Sequence, residues 1–374
     1  MLQSPPAVPG MLEDEIDTPA LLIDLDAFEA NLDTMAARLA GTGTRLRAHA
    51  KTHKSPVVAH QQIARGAIGQ CVQKVSEAEI LAWGGVRDIL VSNEVVGAAK
   101  LARLAALARI ATISVCVDDP GQVTALEAAA AAADVTLGVL VEIDVGMARC
   151  GVAPGPDAVA LAQLIAASPH LRFGGLQAYH GSAQHLRLPA ERHFAIRAAA
   201  DATRRTVEQL RQQGLECAIV GGAGTGTFEL EATSGVYTEI QAGSYCFMDA
   251  DYARNLDAAG HPVGLFGHAL FVLATVMSAS RPGVAVLDAG HKAVAVDCGM
   301  PLVWQRPELR YTGASDEHGT LAFASNARPP VLGEKLRLVP GHCDPTVDRF
   351  DWYVGMRGGR VACLWPVAAR GGLS

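Results

Sequence analysis

The sequence is short of several things, and each shortage excludes a class of protein. It has no apolar run of roughly 18 residues, the length a membrane-spanning helix needs. Basic residues are in the minority: 31 Lys and Arg face 38 Asp and Glu, for a net charge of −7. Nucleic acid and acidic membranes are therefore not expected as main partners. The eight cysteines include no CxxC pair, which argues for reduced thiols in the cytoplasm rather than a disulfide framework. The opening "MLQSPPAVPGMLEDEIDTP" lacks the basic start and apolar run of a signal peptide. No internal repeat of fixed period is present.

What is there is a long, half-hydrophobic chain of 374 residues, enough for a large barrel and a smaller domain. After an acidic, proline-rich arm, "PALLIDL" (19–25) reads as a buried strand. Asp26 with Glu29 resembles a helix start. Phe28, Leu32, Met35 and Leu39 then follow at helical spacing. Short apolar segments recur near 46–51, 69–73, 88–92, 112–117, 137–143, 172–178, 217–221 and 237–242, mostly separated by helical stretches. This rhythm predicts a parallel (β/α)8 TIM barrel over 26–265, although a doubly wound open sheet alternates in the same way. From 266 onward Gly-, Pro- and Asp-punctuated strands replace the helices. They predict an all-β domain of 266–374, joined by 1–25 and carrying a metal site.

Barrels of this kind do their chemistry at the C-terminal ends of their strands. That rule selects Lys51, Gln73, Asn93, Asp144, Tyr179 with His180, and the loops "GGAGTGT" and "AGSY". The clustered glycines and threonines of "VGGAGTGTFE" (220–229) suit a phosphate, because backbone N–H groups converge where no Cβ intervenes. No Lys-Ser or Lys-Thr trails them, so a Walker loop is not indicated. Gly243 and Ser244 in "QAGSYCFMD" add donors one strand later, in the position where barrels commonly bind phosphate. A phosphate site plus a lysine ending the first barrel strand suggests pyridoxal 5′-phosphate, which brings both an aldehyde and a phosphate. Strand alternation through "RAHAKTHKSP" (47–56) places Arg47, His49 and Lys51 on one side and favours Lys51 over Lys54, which is expected to begin the next helix. "AYHGSAQHL" offers His180 and His185 as bases. In "VPGHCDPT", an extended backbone would aim His342 and Asp344 at one ion, suited to Mn²⁺, Mg²⁺ or Zn²⁺. "ASDEHG" (314–319) is a candidate supporting cluster for that ion.

Taken together, "RAHAKTHKSP", "CVQKVSEAE", "VEIDVGMARCGV", "QAYHGSAQH", "GGAGTGT", "QAGSYCFMDADY", "SDEHG" and "PGHCDPT" resemble the fold-type III pyridoxal-phosphate family of D-threonine aldolases and D-serine dehydratases. The resemblance runs from about 17 to 370 and implies an alanine-racemase-like barrel with a β domain. It implies that Lys51 carries the cofactor, and that Tyr179, Gly224, Thr225, Gly243 and Ser244 surround its phosphate. Arg149 is expected near the cofactor's ring, and Gln73, at a strand end, is expected to be cofactor-binding. His185 matches the family's catalytic histidine, and His342 with Asp344 the metal pair. The His-x-Asp pair looks like the aldolase branch, whose harder carboxylate favours Mn²⁺ or Mg²⁺ over Zn²⁺. "PGHCDPT" and "FMDADY" look equally like D-3-hydroxyaspartate aldolase. The implied activity is retro-aldol cleavage of a β-hydroxy-D-amino acid, D-threonine giving glycine and acetaldehyde. D-3-hydroxyaspartate cleavage, or dehydration of D-serine or 3-hydroxyaspartate, is the alternative. A homodimer is implied by resemblance. Two readings outside the aldolases are a racemase using Tyr311 as second base and a metal-dependent barrel hydrolase without the cofactor. Ala223 departs from the family's usual glycine, which matters if that position needs a positive φ.

Overall fold

The computed structural model describes residues 3–374. Strand β1 (Ala20–Asp24) leads directly into α1 (Leu25–Leu39), whose first turn is capped by Asp24 accepting the Ala27 amide at 3.1 Å. The capping residue thus lies two positions before the expected Asp26, because Asp24 is the last extended residue and its carboxylate already accepts an orphan amide. Leu25, Phe28, Leu32, Met35 and Leu39 form the buried face.

Eight parallel strands then close a barrel: β2 (Arg45–His49), β3 (Gly69–Val72), β4 (Asp88–Glu94), β5 (Thr112–Val117), β6 (Leu137–Glu142), β7 (Leu171–Gln177), β8 (Ile219–Gly222) and β9 (Glu239–Ile240). β9 closes the ring on β2 through Arg45 and Leu46. The intervening helices are α2 (Pro56–Ala64), α3 (Val75–Trp83), α4 (Ala98–Leu107), α5 (Pro120–Ala133), α6 (Pro156–Ala166), α7 (Pro189–Gln212) and α8 (Phe228–Ala232). The closed parallel barrel excludes the open doubly wound sheet. Val91, Val115, Val139 and Val141 pack outward against Leu104, Leu126 and Leu161 of the helices. Inside, Arg47 bonds Glu239 at 2.7 Å and Asp88 at 2.6 Å, joining three strands across the base of the barrel.

The remaining strands are β10 (Leu270–Arg281), β11 (Val284–Leu287), β12 (Leu302–Val303), β13 (Arg310–Ala314), β14 (Gly319–Ala322), β15 (Lys335–Val339), β16 (Trp352–Arg357) and β17 (Arg360–Pro366). They form one sheet in the order β11-β14-β13-β12-β15-β10-β1-β16-β17, and β10 also pairs with β11. β1 sits inside this sheet, antiparallel to β10 and parallel to β16. A short helix, α9 (Cys343–Val347), interrupts the strands.

Barrel and sheet share a core. Leu46, Ala48 and Ile240 of the barrel belong to the same apolar cluster as Leu270, Val272, Leu338 and Tyr353 of the sheet. Polar ties cross the same boundary. The Tyr353 hydroxyl donates to the His53 carbonyl at 2.7 Å, and Lys54 Nζ, paired within the barrel to Glu77 at 2.8 Å, reaches across to Asp348 at 3.3 Å. These contacts set the loop containing α9 over the mouth of the barrel, where the β2 end lies.

Candidate active site

A cavity of about 260 Å³ opens at the C-terminal ends of the barrel strands. Lys51, Gln73, Arg149, Tyr179, Gly224, Thr225, Gly243 and Ser244 all line it. Lys51 does not end a strand as expected. β2 stops at His49, and Lys51 lies in a 3₁₀ turn, Ala50–Thr52, that carries it into the mouth. Lys54 does not begin a helix either. It takes a left-handed φ of +50 and is spent on its ion pairs with Glu77 and Asp348.

The two glycine-bearing loops are built tightly. A Cβ on Gly243 would lie 2.7 Å from the His49 carbonyl oxygen and 2.7 Å from Thr52 Oγ1. One on Gly224 would lie 2.7 Å from Gln184 Oε1. Between them the Thr225 hydroxyl is buried with no hydrogen-bond partner. Such an orphaned donor, flanked by backbone that no side chain could crowd, fits the phosphate of pyridoxal phosphate. Ala223 sits at φ +66, so the position does require the left-handed region and the alanine is strained there.

Across the cavity, Gln73 Nε2 lies 3.0 Å from His49 Nε2 and 3.2 Å from the Ser92 carbonyl. Burial, together with the charge of Lys51, pushes the His49 imidazole well below its ordinary pKa, so it is neutral. Arg149 lies 6.0 Å from the Tyr179 ring centroid, in cation–π range. Asn93 and Asp144 support loops instead: Asn93 Nδ2 donates to the Gln73 carbonyl, and Asp144 accepts the Gly146 and Ala148 amides.

The loop at 342–348 is not extended, so the expected i, i+2 projection does not describe it. His342 is the residue capping α9, and Asp344 lies within that helix. The two still converge, with His342 Nε2 3.9 Å from Asp344 Oδ2. Asp344 Oδ2 also contacts Lys51 Nζ, while Oδ1 is buried without a partner. Burial alone would raise the Asp344 carboxyl, but the Lys51 ammonium and the His342 imidazole hold it well below the usual carboxylate range. His342 Nδ1 lies 2.8 Å from Asp297 Oδ2, and Asp297, Cys298 and His342 bring their donor atoms within 4.8 Å of one another. The orphaned Asp344 oxygen and this His342 arrangement fit a divalent ion. The residues 314–319 do not support it: Asp316 and Glu317 pair with Lys292 instead. Tyr311 is buried, donating to the Ala289 carbonyl at 2.8 Å, and does not line the cavity.

His185 lies beside the cavity rather than in its wall. It stacks on Tyr252, which does line it, at 5.7 Å between ring centroids. Its Nδ1 meets Asp251 at 2.5 Å. Sequence reasoning missed His49, Ser92, Asp251, Tyr252, Asp297 and Cys298. Of these, His49 lay in "RAHAKTHKSP" and Asp251 and Tyr252 in "FMDADY", motifs already singled out but without a role for these side chains.

Comparison with known proteins identifies both parts of the chain. The alanine racemase N-terminal domain model matches residues 23–251, and the putative serine dehydratase domain model matches 269–356. The chain belongs to the fold-type III pyridoxal-phosphate family of D-threonine aldolases and D-serine dehydratases. Within it, the chain is 48% identical to a D-threonine aldolase of Arthrobacter sp over 98% of its length and 96% of that protein. It is 47% identical to a 3-hydroxy-D-aspartate aldolase of Paracoccus denitrificans over 98% of its length and 95% of the relative. The crystal structure of D-threonine aldolase from Filomicrobium marinum superposes with a TM-score of 0.96 at 51% identity, covering 99% of this chain and all of that one. Among the described residues no helix is long and apolar enough to cross a membrane.

Proposed function

We propose that this chain is an aldehyde-lyase that cleaves the Cα–Cβ bond of β-hydroxy-D-amino acids, converting D-threonine to glycine and acetaldehyde, with pyridoxal phosphate and a divalent metal. The observation that carries this reading is the contact between Lys51 and Asp344, which sets the candidate metal pair against the candidate cofactor lysine. Pyridoxal phosphate, when bound, supplies an electron sink for the carbon left behind when the bond breaks. Lys51 is the residue that attaches it. Gly224, Thr225, Gly243 and Ser244 take its phosphate, with Tyr179, Arg149 and Gln73 around the rest. His342 Nε2 and Asp344 would hold the metal, whose Lewis acidity lowers the pKa of the substrate hydroxyl. The carboxylate and imidazole donors suit Mn²⁺ or Mg²⁺ better than Zn²⁺. Asp297 orients the His342 ring through Nδ1, leaving Nε2 for the ion. His185 accepts the hydroxyl proton.

The Paracoccus relative supports a second substrate within the same reaction: D-3-hydroxyaspartate, which would give glycine and glyoxylate. All eight cysteines are unpaired, which supports a reducing cytoplasmic setting, and a homodimer is read from the family resemblance. The deciding experiment is product identification with D-threonine, D-serine and D-3-hydroxyaspartate, with and without EDTA and added Mn²⁺. Glycine and an aldehyde are expected. Ammonia and a keto acid would make the chain a dehydratase.

A further inference from the structure

The Asp251 carboxylate is the meeting point of three cationic or basic side chains. It is 4% exposed. Its Oδ2 meets His185 Nδ1 at 2.5 Å, and its Oδ1 accepts Arg187 Nη2 at 2.5 Å and also contacts Arg254 Nη2. The arginines are anchored in turn. Arg187 donates to the Asn255 side chain at 2.8 Å and the Asp251 carbonyl at 2.7 Å, and Arg254 donates to the Cys298 carbonyl at 2.5 Å. Burial alone would raise the Asp251 carboxyl, but the hydrogen bonds from Arg187 and His185 hold it below its ordinary range, so it is ionised. An ionised carboxylate only accepts, so the ring nitrogen facing it must carry a proton. Nδ1 of His185 is that nitrogen. The ring face is fixed separately by Tyr252, inclined 28° to it.

We propose that Asp251 is the positioning residue of the reaction, holding His185 in the tautomer whose Nε2 is free to receive the substrate's hydroxyl proton. This rests on the reading of His185 as the proton acceptor. As the O–H bond breaks, an Nε2–H bond forms. The electron pair left on oxygen makes the aldehyde carbonyl as the Cα–Cβ bond cleaves. The positive charge gained by the imidazole faces an anion already in place, so no side chain has to reorient. Arg187 and Arg254 keep that anion from moving toward the cavity.

The test has two arms. In wild-type holoenzyme labelled with ¹⁵N-histidine, the neutral His185 ring is expected to carry its proton on Nδ1, with signals assigned by their loss in His185→Gln. A neutral ring protonated on Nε2 overturns the proposal whether or not any Asp251 variant folds. In the second arm, Asp251→Asn offers a donor to Nδ1 and favours the wrong tautomer. A fall in kcat of about 10²–10⁴-fold is expected, with KM within about threefold and the cofactor absorption band and metal content unchanged. Asp251→Glu should recover at least tenfold of the loss. Unchanged kcat, or a loss confined to KM, overturns the proposal. If the tautomer is as expected and His185→Gln is fully active, Asp251 does hold the ring, but the proton-acceptor reading and the proposal fall together.

Discussion

Lys51 and Asp344 meet across the boundary between barrel and sheet, the ammonium of one on the carboxylate of the other. They are 293 positions apart in the chain. The pair makes the two lobes a single site, because the lysine belongs to the barrel mouth and the carboxylate to the loop that the sheet carries.

Lys51 and Lys54 are separable by what they touch. Lys51→Ala should abolish the visible absorption band of the bound cofactor. Lys54→Met should keep it. Lys54 instead neutralises the buried Glu77, so its loss should cost about 3 kcal/mol. That value is the low end for a broken buried pair, since Glu77 keeps the Gln73 and Lys74 amides as donors. Absorption spectra and urea unfolding of both variants check this. A Lys51→Ala protein that keeps the band would move the cofactor role elsewhere.

Cofactor affinity should depend on the glycine cradle more than on any single hydroxyl. Gly243→Ala drives a methyl against the His49 carbonyl oxygen, which is backbone and has nowhere to go. The dissociation constant for pyridoxal phosphate should rise well over tenfold. Thr225→Val removes one donor, worth about 1 kcal/mol, and should raise it about fivefold. Fluorescence titration of apoprotein measures both, and equal effects would count against a cradle.

Metal content should follow His342 and Asp344. Either alanine substitution should leave the protein without tightly bound Mn²⁺ and reduce cleavage to the level of EDTA-treated wild type. Asp297→Asn should weaken Mn²⁺ binding by about 10–100-fold, the usual effect of loosening the partner of a ligating histidine. Metal analysis after dialysis gives the answer. Full occupancy in His342→Ala would place the ion elsewhere.

Glu231 gives the fold a pH dependence of its own. Burial pushes its carboxyl from 4.5 up to about 7, and Oε2 has no partner. Because the folded chain then binds this proton more tightly than the unfolded chain, stability from this group is greatest below pH 4.5 and is lost as pH rises through 7. Glu231→Gln should match wild type near pH 4 and exceed it by up to about 3 kcal/mol at pH 8. Urea unfolding at the two pH values reads the difference, and a constant offset would contradict it.

The alternation of strands and helices, the texture change near 266 and the glycine loops were legible in the residues, because period and backbone permissiveness are local properties. The cavity-lining set Lys51, Gln73, Tyr179, Gly224, Thr225, Gly243 and Ser244 was legible for the same reason: each lies at or just beyond the end of a barrel strand, and the barrel rule alone converges such ends. Arg149, in the loop after β6, came from resemblance. Local pattern failed where a helix or turn replaced an extended segment, at Lys51 and at His342 with Asp344. What no local pattern carries is the pairing of distant charges. That Asp251 gathers His185, Arg187 and Arg254, that Asp297 rather than the 314–319 cluster backs His342, and that Lys54 is consumed by Glu77 and Asp348 were decided by tertiary structure. Side chains far apart in sequence find each other only once the shared core has fixed where barrel and sheet meet, and electrostatic partners are chosen by distance in space.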